Sequence, residues 1–361
     1  MQIKKLSLNN FRNYESEEFS FSDGLNVLFG RNAQGKTNCV EGVFYLCTGS
    51  SLRIRHDKQL IRAGADRAKI AALASNRYGD VYIEAEIGEN FREIRINGNK
   101  IAKNADLLGN INGVFFSPGE LRLIQDGPDE RRRFLNLSVS QLSKRYYTAL
   151  LRYNNILQQR NALLKNRDVG LVLETLPVWD EQFCSAAATI VRARAEYVTA
   201  LAPLAADAHA YLTDGAESLV LGMDRLYEGE EGEIKEKLLK ETAAAYEKDV
   251  RLGFTTVGPH RDDLKIYIDE KEAKGYASQG QARTAALSLK LAELEIFKER
   301  AGEYPVLILD DVMSELDLPR RKKLVARLQG VQTLITCTHA ERVLYGKESK
   351  KIRIAGGKIV K

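Results

Sequence analysis

Eight residues near the start of the chain have the types and the spacing of a phosphate-binding loop. Residues 30–37 read GRNAQGKT, the pattern G-x-x-x-x-G-K-T, called the P-loop below. Its two glycines let the backbone curl so that successive N–H groups point at a β-phosphate, and the next helix adds its positive dipole end. Lys36 should bridge the β- and γ-phosphates of ATP, and the Thr37 hydroxyl should bind Mg²⁺. The predicted nucleotide contacts are Gly30, Arg31, Asn32, Ala33, Gln34, Gly35, Lys36, Thr37 and Asn38.

The elements on both sides of this loop have the order that the motif requires. The run GLNVLF before it is apolar and predicts a buried strand that ends at Phe29. The segment after it predicts a helix that buries one face through Val40, Phe44 and Cys47. This context favours a P-loop over an ordinary glycine-rich turn.

A second candidate site lies far along the chain, in the run YPVLILDDVMSELD at residues 304–317. Val306 to Leu309 is apolar, as in a parallel strand that is buried on both faces. Asp310 ends that strand and is placed to hold Mg²⁺, as in a Walker B site. Asp311 occupies the position at which many such ATPases have a glutamate that polarises the attacking water, which makes it the candidate catalytic base. Because small P-loop enzymes place these motifs much closer together, we expect an insertion between two halves of one sheet.

The insertion is predicted to be helical. Apolar side chains recur every third or fourth position in residues 140–166, and a second helical run begins at Trp179, after the interruption RDVGLVLETLP. Two such helices form either a protruding antiparallel arm or a compact helical lobe. Residues 121–168 hold ten Arg or Lys against four Asp or Glu. The run Arg131 to Arg133 within them either contacts DNA phosphates or forms a solvated, salt-bridged face.

The composition narrows the class of protein. With 44% hydrophobic residues, 29% charged residues and a net charge of +5, the chain suits a globular protein that can contact nucleic acid without having to. The four cysteines form no C-x-x-C pair, which argues against a metal or disulfide framework and favours the cytoplasm. No apolar run approaches about 18 residues and no signal peptide is evident, so we expect no membrane association.

The segment SQGQ, Ser278 to Gln281, opens a predicted amphipathic helix ahead of the Walker B strand. It resembles the signature of ABC-type ATPases, usually S-G-G-Q, although helix capping by Ser278 is the alternative interpretation. In that class the signature binds the γ-phosphate held by another subunit's P-loop. The resemblance therefore implies an ATP-dependent, head-to-head homodimer with contacts in trans from Ser278, Gly280 and Gln281. It also makes SELD, residues 314–317, the D-loop, and His339 the switch histidine, a candidate catalytic residue.

Further segments narrow the resemblance. NNFRNY near the start, GPDERRRFLN, GPHRDDL and SQGQ have the order and spacing of the bacterial RecF family. Membership implies an SMC-like head with a short arm and ATP-dependent dimerisation on double-stranded DNA. It also implies work at gapped DNA junctions with RecR and RecO, which helps RecA to load. By the same resemblance, Arg12 is a candidate nucleotide contact, and Arg53 and Arg55 are candidate basic contacts.

Two positions depart from the usual pattern of ABC-type ATPases. Ser117 and Pro118 follow the predicted strand NGVFFS, where a metal-binding glutamine is expected, so metal coordination by that loop stays open. Gln279 replaces the second residue of the usual signature.

The fold class that follows is α/β, an ABC-type P-loop ATPase head split by a helical lobe. Residues 1–120 and 251–361 should form the head, and residues 121–250 the helical lobe. A hairpin in REIRINGNKI should lie beside the P-loop sheet, since Asn97-Gly98 favours a tight turn. We expect an ATP-switched DNA clamp with slow, DNA-stimulated hydrolysis. The alternatives are an SMC-type structural or nuclease-partner ATPase, a transporter subunit and a non-hydrolysing scaffold.

Overall fold

The structure, a computed structural model, describes residues 1–54, 56–166, 168–225, 227–340 and 348–360. The chain divides into two compact units. The first comprises Met1–Leu121, Ala208–Ala216 and Arg283–Lys361, and the second comprises Arg122–Asp207 and Glu217–Ala282. Residues 251–282, expected in the head, therefore lie with the inserted unit. The reason is strand pairing, because Leu264–Ile268 runs antiparallel to Leu219–Met223 of the insertion.

Two six-stranded sheets form the first unit. One is antiparallel with the order β2-β1-β4-β5-β6-β7, and the other has the order β15-β14-β3-β13-β12-β8 and is parallel except at β15. The strands are β1 (Gln2–Phe11), β2 (Tyr14–Ser20), β3 (Leu25–Phe29), β4 (Arg67–Asn76), β5 (Gly79–Gly88), β6 (Arg92–Ile96), β7 (Asn99–Lys100), β8 (Gly113–Phe116), β12 (Val306–Asp310), β13 (Thr333–Cys337), β14 (Ser349–Ala355) and β15 (Lys358–Val360).

The helix after the P-loop, α1 (Lys36–Thr48), contacts strands of both sheets. Val40, Phe44 and Cys47 are buried as predicted. Every residue from Cys39 to Thr48 is buried, however, so the prediction of one buried face was too weak. A helix that is covered by sheets on two sides has no face left for solvent. The first unit also contains α10 (Leu318–Arg327).

The parallel sheet joins the two candidate sites, as the sequence predicts. Strand β13 lies between β3, which leads into the P-loop, and β12, which ends at Asp310. The hairpin of β6 and β7 is confirmed as well. Its turn residues Asn97 and Gly98 have φ of 50° and 83°, the left-handed pair that a tight type I′ turn needs.

The second unit is mainly helical, with a three-stranded sheet of order β11-β10-β9. Its elements are α2 (Arg122–Gln125), α3 (Pro128–Leu142), α4 (Lys144–Leu163), β9 (Leu219–Met223), α6 (Glu231–Ala244), α7 (Tyr246–Leu252), β10 (Leu264–Ile268), β11 (Lys271–Glu272) and α8 (Ala273–Tyr276). Two longer helices, α5 (Val169–Thr213) and α9 (Gln279–Ala301), have residues in both units.

Helices α4 and α5 form the predicted antiparallel pair. The rings of Tyr153 and Phe183 stack at 4.8 Å, and Arg160 Nε donates to Asp180 at 2.9 Å. Arg160 also bonds Asp249 at 2.8 Å and Thr255 at 2.7 Å, within the same unit. These buried contacts tie the helix pair to α7 and the segment after it, which favours the compact lobe over the protruding arm.

The predicted interruption before Trp179 is shorter than expected, because α5 begins at Val169 and continues through Pro177. Asp168 caps its start, accepting a hydrogen bond from Leu171 N at 3.1 Å. Val172 and Leu176 are fully buried in a cluster with Leu164. This packing holds the helix together across the proline, which local sequence preference alone does not reveal.

The basic run at the start of α3 is largely structural. Arg131 is buried and forms a two-pronged ion pair with Asp263 at 2.6 and 3.0 Å. Arg132 donates to the carbonyl of Asp262 at 2.7 Å, whereas Arg133 is half-exposed beside Glu130. Of the two interpretations of this run, DNA contact is wrong for Arg131, because its guanidinium is buried in an ion pair with the Asp263 carboxylate.

Candidate nucleotide-binding site

The P-loop has the backbone that its glycines permit. Gly30 and Gly35 have φ of 151° and 114°, and a Cβ on Gly30 would lie 2.2 Å from the carbonyl oxygen of Ile354. Lys36 Nζ lies inside the loop and donates to the carbonyls of Gly30 at 2.9 Å and Arg31 at 2.8 Å. Burial lowers the pKa of Lys36, while the nearby carboxylates of Asp311 and Asp310 act in the opposite direction. A phosphate that enters the loop can replace these two neutral carbonyls as the partner of the ammonium, because a charged acceptor forms the stronger hydrogen bond.

Thr37 and Asp310 meet directly, although 273 residues separate them in sequence. Thr37 Oγ1 donates to Asp310 Oδ1 at 2.8 Å, and Thr336 Oγ1 donates to the same oxygen at 2.7 Å. Burial raises the pKa of Asp310, and the hydrogen bonds from Thr336 and Thr37 oppose that shift. A hydroxyl beside a fixed carboxylate suits Mg²⁺, which takes one or two protein oxygens and completes its shell with phosphate and water.

Asp311 is oriented by its backbone. Its φ of 56° is left-handed, and its N–H donates to Thr336 Oγ1 at 3.0 Å. Ser314, the first D-loop residue, donates from Oγ to the Asp311 carbonyl at 2.8 Å. The Asp311 side chain is exposed. The exposed carboxylate of Asp311 thus follows directly after the buried strand β12. Water can therefore reach it, as a general base requires.

His339 follows β13 and lies beside the P-loop. It lines a cavity of about 730 Å³ together with Gly30, Arg31, Gln34, Lys351 and Arg353. Its Nδ1 is 3.0 Å from Thr338 Oγ1, and the ring is exposed. The structure therefore brings His339 to the phosphate-binding region, where the resemblance places a switch histidine.

Arg12 is held by the helix after the P-loop. Its Nε and Nη2 donate to the two carboxylate oxygens of the buried Glu41 at 2.9 and 2.8 Å. Arg53 lies on the same carboxylate at 3.4 Å and donates to Asn38 Oδ1 at 3.1 Å. The guanidinium of Arg12 thus has a protein partner in this structure. Arg55 lies outside the described residues.

Several residues of the site were missed in the sequence. Asn13 Nδ2 donates to the Gln34 carbonyl at 3.0 Å and its Oδ1 accepts from Asn38 Nδ2 at 2.8 Å. Tyr14 is buried and donates to the Gly35 carbonyl at 2.9 Å. Both directly follow Arg12 in the segment NNFRNY, and Thr336 lies in ITCTHAE. A side chain that donates a hydrogen bond to a loop carbonyl is not part of a recognisable motif, so a single sequence does not predict it.

The signature segment is built differently. Ser278 Oγ accepts from Gln281 N at 3.2 Å, and Gln281 Oε1 accepts from Ser278 N at 2.9 Å, which is a capping box at the start of α9. Ser278 is exposed. Ala286, Leu289, Ala292 and Ile296 are buried. Every residue from Thr284 to Leu294 is buried, however, so the amphipathic pattern that the sequence predicts for α9 is wrong in this part of the helix. Ser278, Gly280 and Gln281 belong to the second unit, whereas the P-loop belongs to the first.

Other predictions concern the cysteines, metal clusters and membrane-spanning helices. All four cysteines are buried and free. Among the described residues, no three His, Cys, Asp or Glu side chains group as a metal site, and no helix there has the length and apolarity to cross a membrane. Ser117 and Pro118 follow β8, at the position where ABC-type ATPases usually have a metal-binding glutamine. The next acidic residue, Glu120, forms an ion pair with Lys290 at 3.4 Å.

Comparison with known proteins gives one consistent result. Residues 2–359 match the family described as "RecF/RecN/SMC N terminal domain". The chain is 42% identical to the DNA replication and repair protein RecF of Alkaliphilus oremlandii, with 94% of each chain covered. It is 40% identical to the protein of that name from Symbiobacterium thermophilum, covering 100% of this chain and 98% of that one.

Solved structures agree. The structure of the recombination mediator protein RecF with ATP in the RecFOR pathway has a TM-score of 0.90 and 34% identity, covering 99% of this chain and 97% of that one. The Smc head domain of Pyrococcus furiosus has a TM-score of 0.60 at 16% identity, covering 100% of this chain and 96% of that one, which shows the shared SMC-like head fold. On this evidence the chain belongs to the RecF family of DNA replication and repair proteins.

Proposed function

We propose that this chain is an ATP-dependent clamp of recombinational repair. It closes as a homodimer on double-stranded DNA near single-strand gaps and, with RecO and RecR, promotes RecA loading. The observation that carries the ATP-binding part is the direct contact of Thr37 with Asp310 at 2.8 Å beside an ammonium enclosed in the P-loop. The DNA-repair part is supported by relatives at 38–42% identity that are named DNA replication and repair protein RecF. Work on chromosomal DNA places the protein in the cytoplasm.

Residues of the first unit contact different parts of the nucleotide. Backbone N–H groups of the P-loop hold the phosphates, and Lys36 exchanges its two carbonyl partners for the β- and γ-phosphates. Thr37 and Asp310 would hold Mg²⁺, and the bound ion would supply positive charge that neutralises the phosphates. Asp311 orients the attacking water, and His339 contacts the γ-phosphate from the end of β13. Aspartate is shorter than the usual glutamate, which suits slow hydrolysis that acts as a timer.

The second unit supplies the switch. We assign Ser278, Gly280 and Gln281 to the γ-phosphate of the partner subunit, where the N-terminus of α9 adds its positive dipole end. ATP favours the closed dimer because only that state uses both halves of the site. DNA is held through its phosphates, since no base-reading module is evident, and Arg53 and the exposed Arg133 are candidate contacts.

ATP turnover as a function of protein concentration, with and without double-stranded DNA, tests this proposal. We expect specific activity to rise with concentration and to rise further with DNA. DNA affinity should require ATP and fall steeply with salt. Turnover that is independent of concentration and of DNA would contradict the dimeric clamp. A stable complex with a nuclease, together with ATP-independent DNA binding, would favour the SMC-type alternative instead.

A further inference from the structure

The last two strands of the described chain form a hairpin whose turn contacts the P-loop. Strands β14 and β15 are joined at Gly356 and Gly357. Gly357 N donates to the Gln34 carbonyl at 3.0 Å, and Gly356 N donates to Gln34 Oε1 at 2.7 Å. The Gln34 side chain thus points to the hairpin turn, although this residue was predicted to contact the nucleotide. Its Nε2 donates to the carbonyl of Asn32 at 3.3 Å.

The segment before β2 contacts the same carbonyl from another direction. Asn13 Nδ2 donates to the Gln34 carbonyl at 3.0 Å, so this oxygen accepts two hydrogen bonds, one from each end of the chain. A carbonyl oxygen has two lone pairs, and both are used here. The peptide between Gln34 and Gly35 therefore cannot rotate without losing both bonds.

That peptide's orientation matters for the chemistry of the loop. In a trans peptide the C=O of one residue and the N–H of the next point in opposite directions. Because the Gln34 carbonyl is fixed outward, toward Asn13 and the hairpin, the Gly35 N–H is fixed toward the other side, into the loop. The hairpin and Asn13 thus preset a phosphate donor that would otherwise have to be ordered on binding.

The hairpin is built to hold this contact. Gly357 has φ of 72°, and a Cβ there would lie 2.5 Å from the Asn13 carbonyl oxygen. Strand β14 runs parallel to β3, the strand that leads into the P-loop. Strand β15 is anchored by Ile359 N, which donates to Glu17 Oε2 on β2 at 2.9 Å. The turn therefore sits between the P-loop and β2 with little freedom to move away.

We propose that this hairpin, residues 349–360, clamps the P-loop together with Asn13, and that Asn13, Gln34 and Gly357 are positioning residues for nucleotide binding. The inference rests on the ATP binding proposed above. It assigns to the C-terminal hairpin a direct effect on nucleotide affinity, so that the two ends of the chain set the conformation of one peptide in the loop.

The test is the dissociation constant of Mg-ATP measured by calorimetry on the full chain, with Gly357→Ala, Gln34→Ala and the double variant. Gly330→Ala is the matched control, because Gly330 also has a positive φ, 78°, yet a Cβ there meets nothing within 4 Å. We expect Gly357→Ala to weaken binding on the order of tenfold and Gln34→Ala on the order of fivefold, with Gly330→Ala within about twofold of wild type. In turnover assays the KM for ATP should rise while kcat changes little.

The double variant separates positioning from general destabilisation. If both substitutions act by releasing the same hairpin turn from the P-loop, the double variant binds no more weakly than Gly357→Ala alone; independent effects would multiply. Gly357→Ala that binds like Gly330→Ala, or effects that multiply, would overturn the clamp. If Gly357→Ala does not fold, Gln34→Ala decides, and affinity equal to wild type then overturns the proposal. Failure of the wild-type chain itself to bind Mg-ATP would instead contradict the proposed function.

Discussion

The P-loop and the signature segment are held in opposite ways. The P-loop is fixed by neighbours from three places in the chain, namely Asn13 and Tyr14, Asp310, and the Gly356–Gly357 turn. The signature segment is exposed, and Ser278 and Gln281 hydrogen-bond each other across one helical turn. One half of the site is preorganised by distant segments of the first unit, and the other half begins with a local capping box.

This contrast indicates which half of the site binds ATP within one chain and which half binds it from another chain. Contacts that preset backbone donors reduce the ordering that binding requires, so the P-loop should bind ATP in a single chain. An exposed helix N-terminus closed by a capping box is stable without a ligand and can meet one from outside. Under the proposed function the P-loop therefore sets affinity and the signature sets turnover, and each variant below separates these two quantities.

The largest effect is expected from Lys36→Ala. The ammonium is the one side-chain charge enclosed by the loop's own carbonyls, and removing it should weaken ATP binding by about a hundredfold and abolish turnover. Calorimetry with Mg-ATP, at a protein concentration that keeps the chain monomeric, measures the affinity of the P-loop. Lys240→Ala, at an exposed position on α6, removes the same charge elsewhere and should leave affinity unchanged. An unaffected affinity in Lys36→Ala would mean that ATP binds at another place.

Ser278→Arg should reverse this pattern. A bulky cation in place of Ser278 disrupts the signature's contact with the partner's ATP, and in a dimer of two such chains both contacts are disrupted, so turnover should fall at least about tenfold and ATP-dependent dimerisation should weaken. ATP affinity of the monomer should stay within about twofold of wild type, since the P-loop is intact. Light scattering with and without ATP measures the dimer. Loss of ATP affinity in this variant would show that the two halves are not separate.

Gln281→Glu distinguishes a ligand role from helix capping. Glutamate at this position preserves the capping box, so the melting temperature should stay close to that of wild type. The added negative charge would face the γ-phosphate of the partner's ATP, and turnover should fall several-fold to about tenfold. If turnover is unchanged, Gln281 caps α9 and does nothing more.

Thr336→Val should have the smallest effect. It removes one of two hydrogen bonds that stabilise the ionised Asp310, so the pKa of that carboxylate should rise above its already raised value. Metal binding needs the ionised form, which is lost as pH falls through the pKa. The acid limb of the turnover profile should therefore move to higher pH, with a loss of about two- to fivefold near neutrality. Thr333→Val, a buried neighbour on β13 that bonds the Val331 carbonyl, is the control and should leave the acid limb in place.

Sequence reasoning succeeded where chemistry and pattern coincide. The P-loop, the Walker B strand and the Asn97-Gly98 turn each depend on residue types that a single position demands. The closeness of Thr37 and Asp310 followed from placing both motifs at the ends of strands in one sheet. Each of these features depends on residues that are close in sequence, or on strands whose ends lie at the same edge of one sheet.

The failures have a common physical cause, which is contact between distant segments. Pro177 lies inside α5 because Val172 and Leu176 pack against Leu164. Arg131 looked like a DNA contact because its buried partner, Asp263, lies 132 residues away. The hydrogen bond between Gln34 and the hairpin turn was not predicted for the same reason, because Gly356 lies more than 300 residues further along the chain.

The most direct test mixes Lys36→Ala chains with Ser278→Arg chains and measures ATP turnover. Each variant alone should have little activity, because every site lacks either its P-loop lysine or an intact signature. A mixed dimer has one intact site, formed by the P-loop of the Ser278→Arg chain and the signature of the Lys36→Ala chain. Because one of its two sites is intact, a mixed dimer should turn over about half as fast as a wild-type dimer. An equal mixture should therefore recover from about a quarter of the wild-type rate, for random pairing, to about half, for pairing only as mixed dimers. A mixture no more active than the two variants separately would show that the signature does not act across a dimer interface.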